Sequence, residues 1–234
     1  MSDVTGVILC GGKGERLRPY TDHMPKPLLP LNGHPILWYL LRLLSDQGVN
    51  RLVLCTGYKA ECIEEFVRTQ CDPTWDIECV NTGDASITDR LRSVWPLVKG
   101  RALICYGDTL ANVALPRLLK RHEKSGAQAT MTLYRPQNSF GVVKFDRQRR
   151  IHSFMEKPKM PQWINIGFIL CEAEPVGEVL FQSEDMVDFL SRLAASGKLI
   201  AYEHDGKHLT INTEKERRDA EIEVVDFISV LDSY

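Results

Sequence analysis

Residues 4–31, VTGVILCGGKGERLRPYTDHMPKPLLPL, decide how the rest of the chain is read. Val7, Ile8, Leu9 and Cys10 form a short apolar run bounded by glycine, the pattern of a buried strand. Gly11, Gly12 and Gly14 follow at once, with Lys13 among them and Arg16 and Arg18 behind. A loop with so little side-chain bulk turns backbone N–H groups toward an anion and lets the backbone approach it closely. Lys26, set between Pro25 and Pro27, adds a second fixed positive charge to that of Arg16. Together these residues suggest a polyphosphate site, with Leu9, Gly11, Gly12 and Gly14 as its cradle. The glycines alone also fit an ordinary strand-to-helix turn. The loop is not of the Walker type, because no Gly-Lys-Ser/Thr closes it. Nor is it a dinucleotide fingerprint, because Leu17 stands where a third glycine belongs.

Outward from this stretch the first half alternates regularly. Pro35 opens a helix with Ile36, Leu37, Leu40, Leu41 and Leu44 on its apolar side and Gly48 as its stop. Strands are expected at Arg51–Cys55, Asp76–Val80 and Arg101–Tyr106, and helices at Ala60–Arg68, Ile87–Val98 and near Val113–Ser125. The second half changes character. Closely spaced strands are expected at Gln128–Tyr134, Gly141–Phe145, Arg150–Glu156 and Ile164–Cys171. Helices at Pro175–Phe181 and Glu184–Ser196 lead to strands at Leu199–Glu203 and Leu209–Asn212. His204 and His208 then flank a hairpin turn at Asp205-Gly206. The last helix starts with the capping box Thr213-x-x-Glu216 and buries Ala220, Val224, Phe227, Ile228 and Leu231. The expected fold class is α/β: a mostly parallel, Rossmann-like central sheet with helices on both faces. A smaller mixed β region would form the acceptor-side wall. Residues 1–234 read as one domain, about 1–125 its nucleotide half and about 126–234 its acceptor half and C-terminal helix.

Composition narrows the function classes. A chain of 234 residues with 44% hydrophobic and 26% charged residues can bury a full core. A net charge of −2 provides no global basic field for nucleic acid. No apolar stretch approaches membrane-spanning length and the N-terminus does not read as a signal peptide, so a cytoplasmic location is expected. The 7 cysteines contain no C-x-x-C pair and read as reduced, buried thiols. The 6 histidines show no metal spacing and read as surface or structural.

Asp108 ends the run Ala102-Leu103-Ile104-Cys105-Tyr106-Gly107. A carboxylate at a strand end suits a hard cation such as Mg²⁺, which takes oxygen ligands and phosphate partners. A turn or helix-capping role is equally open from the residues alone. Glu156-Lys157 before Pro158 reads by itself as a solvated turn, and Asn165 as a buried amide bonding backbone. In open α/β sheets ligands sit beyond the carboxyl ends of the strands. The glycine loop and Asp108 both fall there.

The whole pattern, GGKGERLRP, then PKPLLPL, then GHPIL, resembles the sugar-1-phosphate nucleotidyltransferases. The resemblance covers nearly the whole chain. Tyr-Gly-Asp-Thr at 106–109, Phe140-Gly141-Val142-Val143, Glu156-Lys157-Pro158 and Ile164-Asn165-Ile166-Gly167-Phe168 follow in the family's order. It implies a loop that wraps a nucleoside triphosphate, with Arg16 and Lys26 neutralising its phosphates and serving as the catalytic pair. It implies Mg²⁺ on Asp108. It places Lys157 on the acceptor phosphate, and Glu156, Gly141 and Asn165 beside the acceptor. The family's second metal ligand is an Asp before the last helix, and Asn212 stands there. An amide oxygen still coordinates Mg²⁺; the other readings are a weakened site, or a residue that only helps begin the helix.

The base-reading segment is Val80–Leu91, and its run Thr82-Gly83-Asp84-Ala85-Ser86-Ile87-Thr88, followed by Arg90-Leu91 and a helix, is similar to that of glucose-1-phosphate cytidylyltransferases. It assigns Thr82, Gly83, Ser86 and Thr88 to the nucleotide and implies CTP. Transfer from UTP, dTTP or GTP is the alternative, and a catalytically weak nucleotide-binding regulator a further one. A glycosyltransferase would usually carry Asp-x-Asp where Asp108-Thr109-Leu110 has a single Asp. Departures from the glucose enzymes are a missing insertion between Cys79 and Thr82 and a different stretch at Phe181–Glu184, which leave the phosphorylated acceptor open. The resemblance leaves a homo-oligomer open, and the charge balance and short apolar runs point to no nucleic-acid or membrane partner.

Overall fold

The structure is a computed structural model. It describes Met1 and residues 3–231, without the side chains of residues 226 and 228–231. In chain order the strands of the first half are β1 (Val4–Leu9), β2 (Pro30–Leu31), β3 (His34–Pro35), β4 (Arg51–Thr56), β5 (Asp76–Asn81), β6 (Arg101–Tyr106) and β7 (Thr109–Ala111). Those of the second half are β8 (Ala129–Tyr134), β9 (Val142–Phe145), β10 (Ile151–Met155), β11 (Ile164–Glu172), β12 (Leu199–His204) and β13 (His208–Thr210). The helices are α1 (Ile36–Asp46), α2 (Ala60–Gln70), α3 (Ile87–Val94), α4 (Leu115–Ser125), α5 (Ala173–Gln182), α6 (Met186–Ala195) and α7 (Glu214–Leu231).

One seven-stranded sheet runs in the order β12-β8-β11-β6-β1-β4-β5. β1 pairs in parallel with β4 and β6, as β4 does with β5 and β12 with β8. Only β11 is reversed, antiparallel to β6 and to β8. Alternation along each strand builds two cores. Ile8, Leu52, Leu54, Leu103 and Cys105 face one side, where α1, α2, α4 and α7 supply Leu40, Phe66, Leu118 and Val224. Val7, Val53, Ala102 and Ile104 face the other, against Leu91 of α3, Leu180 of α5 and Phe189 of α6. Each fully buried side chain of this size contributes about 1.5–3 kcal/mol. The expected α/β architecture, a mostly parallel sheet covered on both faces, is the one found.

The second half adds a separate hairpin, β9–β10, outside the main sheet. The differences from the expected elements are local. α3 stops at Val94, and Trp95–Leu97 tighten into a 3₁₀ turn around Pro96, whose ring cannot sit inside a continuing helix. The ladders β2–β3 and β7–β13 were not expected as pairs: β2, β3 and β7 are too short to carry a readable period, and the strand expected at Leu209–Asn212 is found as β13, His208–Thr210, paired to β7. Asp205-Gly206 is not a hairpin turn between paired strands: β12 pairs with β8, whereas β13 crosses to β7. The capping box is made, with Thr213 N–H donating to Glu216 at 3.0 Å and Glu216 N–H to Thr213 at 3.2 Å. Ala220, Val224 and Phe227 are buried on α7, while the side chains of Ile228 and Leu231 lie outside the described residues.

The β7–β13 ladder matters most for the site. Thr109, next to Asp108, pairs with Thr210, two residues before Asn212. His208 opens β13, its ring centroid 4.9 Å from that of Tyr134. Burial, together with the neighbouring His204, lowers the His208 pKa from 6.5 to about 4. Between those values the unfolded chain binds a proton that the folded chain does not, so stability falls as pH falls through that window. His208→Gln is expected to flatten this acid dependence in urea unfolding curves compared at pH 7 and pH 4.5. Parallel losses for wild type and variant would remove His208 as the cause.

Candidate active site

The chain leaves β1, builds β4 and β5 on one side, then returns to lay β6 on the other side of β1. This reversal of direction opens a crevice beyond the carboxyl ends of β1 and β6, the usual ligand position in such sheets. A cleft of about 580 Å³ occupies it. The glycine loop after β1 forms one wall with Leu9, Gly11, Gly12, Gly14 and Arg16, and Lys26, Asp108 and Asn212 line the same space. The structure therefore brings the expected phosphate cradle, its two cations and the candidate metal ligands together.

The loop is held from below. Arg90, on α3, is only 5% exposed. Its Nη1 donates to the Thr56 carbonyl and to Thr82 Oγ1, each at 2.7 Å. Its Nη2 donates to the carbonyls of Gly11 at 3.1 Å and Gly83 at 2.9 Å. One guanidinium thus ties the glycine loop to the end of β4 and to the loop after β5. A Cβ on Gly11 would lie 1.9 Å from Arg90 Nη1, so no other residue fits there with the arginine in place. Across the cleft mouth Lys13 donates to Asp84 at 2.7 Å, which holds the Asp84 carboxyl below the usual range. Reading the sequence placed Arg90 only within the base-reading segment and gave it no role of its own. Beside Leu91 on an amphipathic helix it looks like an ordinary flanking charge, and only the three-dimensional approach of Gly11 marks it.

At the floor, Lys26 Nζ donates to Asp108 Oδ2 at 2.5 Å and to Asn212 Oδ1 at 2.9 Å. The carboxylate and the amide oxygen thus converge on one cationic point. Asn212 Nδ2 donates to Thr210 Oγ1 at 3.3 Å, which turns Oδ1 toward the cleft. Among the described residues no group of three or more His, Cys, Asp and Glu side chains forms a metal cage. Mg²⁺ is ordinarily held by one or two protein oxygens plus substrate phosphates, and Asp108 with Asn212 fits that donor set. Among the described residues the exposed Arg16 takes no hydrogen bond or ion pair, which leaves its guanidinium available at the rim.

The remaining candidates are placed differently. Thr82 Oγ1 is used internally, donating to Thr56 O at 2.9 Å and accepting from Arg90. Gly83, at φ +60°, donates its N–H to Asn81 Oδ1. Ser86 caps α3 by accepting from Asp89 N–H at 3.1 Å, and Thr88 is 1% exposed. From this segment Asp84, Ala85, Ile87 and Arg90 face the cleft. Gly141, Glu156 and Lys157 lie at the two ends of the β9–β10 hairpin and do not line it. They are neighbours of one another, since a Cβ on Gly141 would come within 3.0 Å of Glu156 Oε2. Asn165, at the start of β11, accepts from Gly167 N–H and is hydrogen-bonded to Tyr106, which does line the cleft.

All seven cysteines are free, and Cys10, Cys55, Cys105 and Cys171 are buried. Burial pushes the Cys55 thiol up to about 12 and the other three well above the usual range, so none of these four is poised as a thiolate.

Residues 5–199 match the nucleotidyl transferase family. The chain belongs to that family. Similar members include a probable glucose-1-phosphate cytidylyltransferase of Bacillus subtilis, 32% identical with 89% of this chain and 91% of the relative covered. Another is a D-glycero-alpha-D-manno-heptose 1-phosphate guanylyltransferase of Aneurinibacillus thermoaerophilus, 30% identical over 95% of this chain and 99% of the relative. Among solved structures, a putative glucose-1-phosphate thymidylyltransferase from Bacillus anthracis in complex with a sucrose superposes with a TM-score of 0.77, at 21% identity and 94% coverage of both chains. This likeness supports the nucleotidyl transferase fold. Among the described residues no helix is long and apolar enough to cross a membrane.

Proposed function

We propose that this nucleotidyl transferase moves a nucleoside monophosphate, CMP from CTP, onto a sugar 1-phosphate or similar small phosphorylated acceptor and releases pyrophosphate. The observation that carries this reading is the convergence of the glycine loop, Arg16 and the Lys26–Asp108–Asn212 group in one cleft. A phosphate oxygen of the acceptor attacks the α-phosphorus in line. The bond from that phosphorus to the bridging oxygen breaks, and pyrophosphate leaves with the electron pair. The nucleophile already carries negative charge, so alignment and charge neutralisation are what the site must supply.

The backbone of Leu9, Gly11, Gly12 and Gly14 cradles the phosphates. Arg16 offsets charge on the leaving pyrophosphate, and Lys26 meets the α-phosphate. Mg²⁺, held by Asp108 and Asn212, would neutralise the reacting phosphates when bound. Lys157 receives the acceptor phosphate, while Gly141, Glu156 and Asn165 shape the acceptor pocket. Thr82, Gly83, Ser86 and Thr88 support the base side, where Asp84 faces the cleft. A carboxylate there favours a base bearing an exocyclic amino group, which cytosine, guanine and adenine carry and thymine and uracil lack.

GTP is the second reading. It is favoured by the heptose 1-phosphate guanylyltransferase, which aligns over nearly its whole length and this chain's. Pyrophosphate release with Mg²⁺, measured for CTP, GTP, UTP, dTTP and ATP against glucose 1-phosphate, heptose 1-phosphates and other sugar phosphates, separates the two. Release with CTP alone supports the first reading, and release with GTP alone replaces it. Tight nucleotide binding without release across the panel would favour a regulator with a site weakened at Asn212. Within the active pair, Lys157→Ala is expected to raise the acceptor KM at least about tenfold and leave nucleotide affinity unchanged, by loss of one charge-assisted contact. An unchanged acceptor KM would remove Lys157 from the site.

A further inference from the structure

We infer that Lys26 is a built-in counter-cation that occupies the metal position of the Asp108–Asn212 pair, so that the metal enters with the nucleotide and not ahead of it. This rests on the reading of Asp108 and Asn212 as the metal ligands. The Lys26 ammonium lies 2.5 Å from Asp108 Oδ2 and 2.9 Å from Asn212 Oδ1. Its side chain is 13% exposed and that of Asp108 30%, so water screens the pair only in part. A divalent ion that used both oxygens would sit at the place now held by Nζ. Like charge forbids both at once, so Lys26 must leave for the metal to enter.

The charges explain why one lysine suffices. Asp108 brings one negative charge, Asn212 none and Lys26 one positive charge, so the group is neutral. An Asp at 212 would leave the same group with a surplus negative charge that still attracts a cation. Asn212 is therefore the residue that lets the lysine satisfy the pair, whatever its strength as a ligand.

The lysine also has somewhere to go. Lys26–Leu28 form a short 3₁₀ turn with Pro25 before it and Pro27 within it, which fixes the backbone and leaves the four-carbon stem to move. Bound phosphates supply new acceptors for Nζ in the same cleft. The apparent affinity of metal alone is the intrinsic affinity scaled by the fraction of molecules in which Lys26 is withdrawn. If the lysine is in place about nine-tenths of the time, that is a tenfold penalty, and a nucleotide removes it. Linkage then requires that metal and nucleotide strengthen each other's binding.

The test uses Mn²⁺ as an EPR-visible probe, titrated into wild type, Lys26→Met, Asn212→Asp and Asp108→Asn, with circular dichroism to check folding. Each is titrated alone and with methylene-bridged, non-reacting CTP and GTP analogues. Without nucleotide, Lys26→Met is expected to bind Mn²⁺ at least about tenfold more tightly than wild type, Asn212→Asp also more tightly, and Asp108→Asn most weakly. With the matching analogue, wild type should gain the affinity it lacked alone. Wild-type-like Mn²⁺ affinity in Lys26→Met, with binding still lost in Asp108→Asn, would overturn the gate and keep the metal pair. Unchanged Mn²⁺ binding in Asp108→Asn, with and without analogue, would remove the metal pair and the gate together.

Discussion

Asp108→Ala is expected to lower turnover by about 10³-fold or more, because removing even one well-aimed charged contact in such a site costs about 10²–10³ in rate. Asp108 does more than one such job. Its carboxylate is the charged member of the proposed metal pair, and in the protein by itself it anchors Lys26, which is mostly shielded from water. Alanine would leave that ammonium with only the amide oxygen of Asn212 among its described partners. The cation proposed to bind phosphate and the proposed metal would both lose their fixed position. The fold should survive, because the β7–β13 ladder beside Asp108 is built from backbone hydrogen bonds. The check is single-turnover pyrophosphate release with the preferred triphosphate, together with a circular dichroism spectrum matching wild type. A loss smaller than about tenfold, against the scale set by such contacts, would mean that the metal pair lies elsewhere.

Arg90→Ala should produce the largest loss of stability. Arg90 is 5% exposed, and its guanidinium donates to acceptors on three separate segments. The Thr56 carbonyl keeps Thr82 N–H as a partner and the Gly11 carbonyl keeps Tyr58 N–H, whereas Arg90 is the one described partner of the Gly83 carbonyl. Gly83 is exposed, so water takes over its carbonyl and the loss there is that of a hydrogen bond from a charged donor, about 1.5–3 kcal/mol, while the space left by so large a side chain adds about 2 kcal/mol. The total, about 3.5–5 kcal/mol, corresponds to a fall in Tm on the order of 7–20 °C for a chain of this size. Nucleotide affinity should fall with it, since the glycine loop loses its tie to β4. Arg90→Lys should recover little, because an ammonium cannot reproduce the planar fork. A Tm within 2 °C of wild type would show that the two loops hold their shape unaided.

The parts of the fold that were legible in the sequence share one property: a period long enough to read. β1, β4 and β6 are continuous apolar runs, and α1 carries a full apolar stripe, so the alternation announced a parallel sheet. The short ladders carry no such period, and one of them determines that Asp108 and Asn212 meet. Within the site, the glycines, Arg16, Lys26 and Asp108 were legible as residue types that phosphates and hard cations need. The proposed base-side segment was harder, because its hydroxyls are used internally. Thr82 bridges to Arg90, Ser86 caps a helix and Thr88 is buried, and a sequence does not say whether a hydroxyl faces a ligand or its own backbone. Arg90 was invisible for the complementary reason: its partners are main-chain oxygens, which leave no mark on residue identity.

The β7–β13 ladder also has a consequence for how the protein comes into being. The glycine loop, Lys26 and Asp108 are all made before α4, whereas β13 and Asn212 are made only after β12. On the ribosome, the crevice and its lysine–carboxylate contact can assemble while the segment carrying the second oxygen has yet to be synthesised. The crevice gains its second oxygen only when β13 has emerged, returned across the molecule and paired beside Asp108.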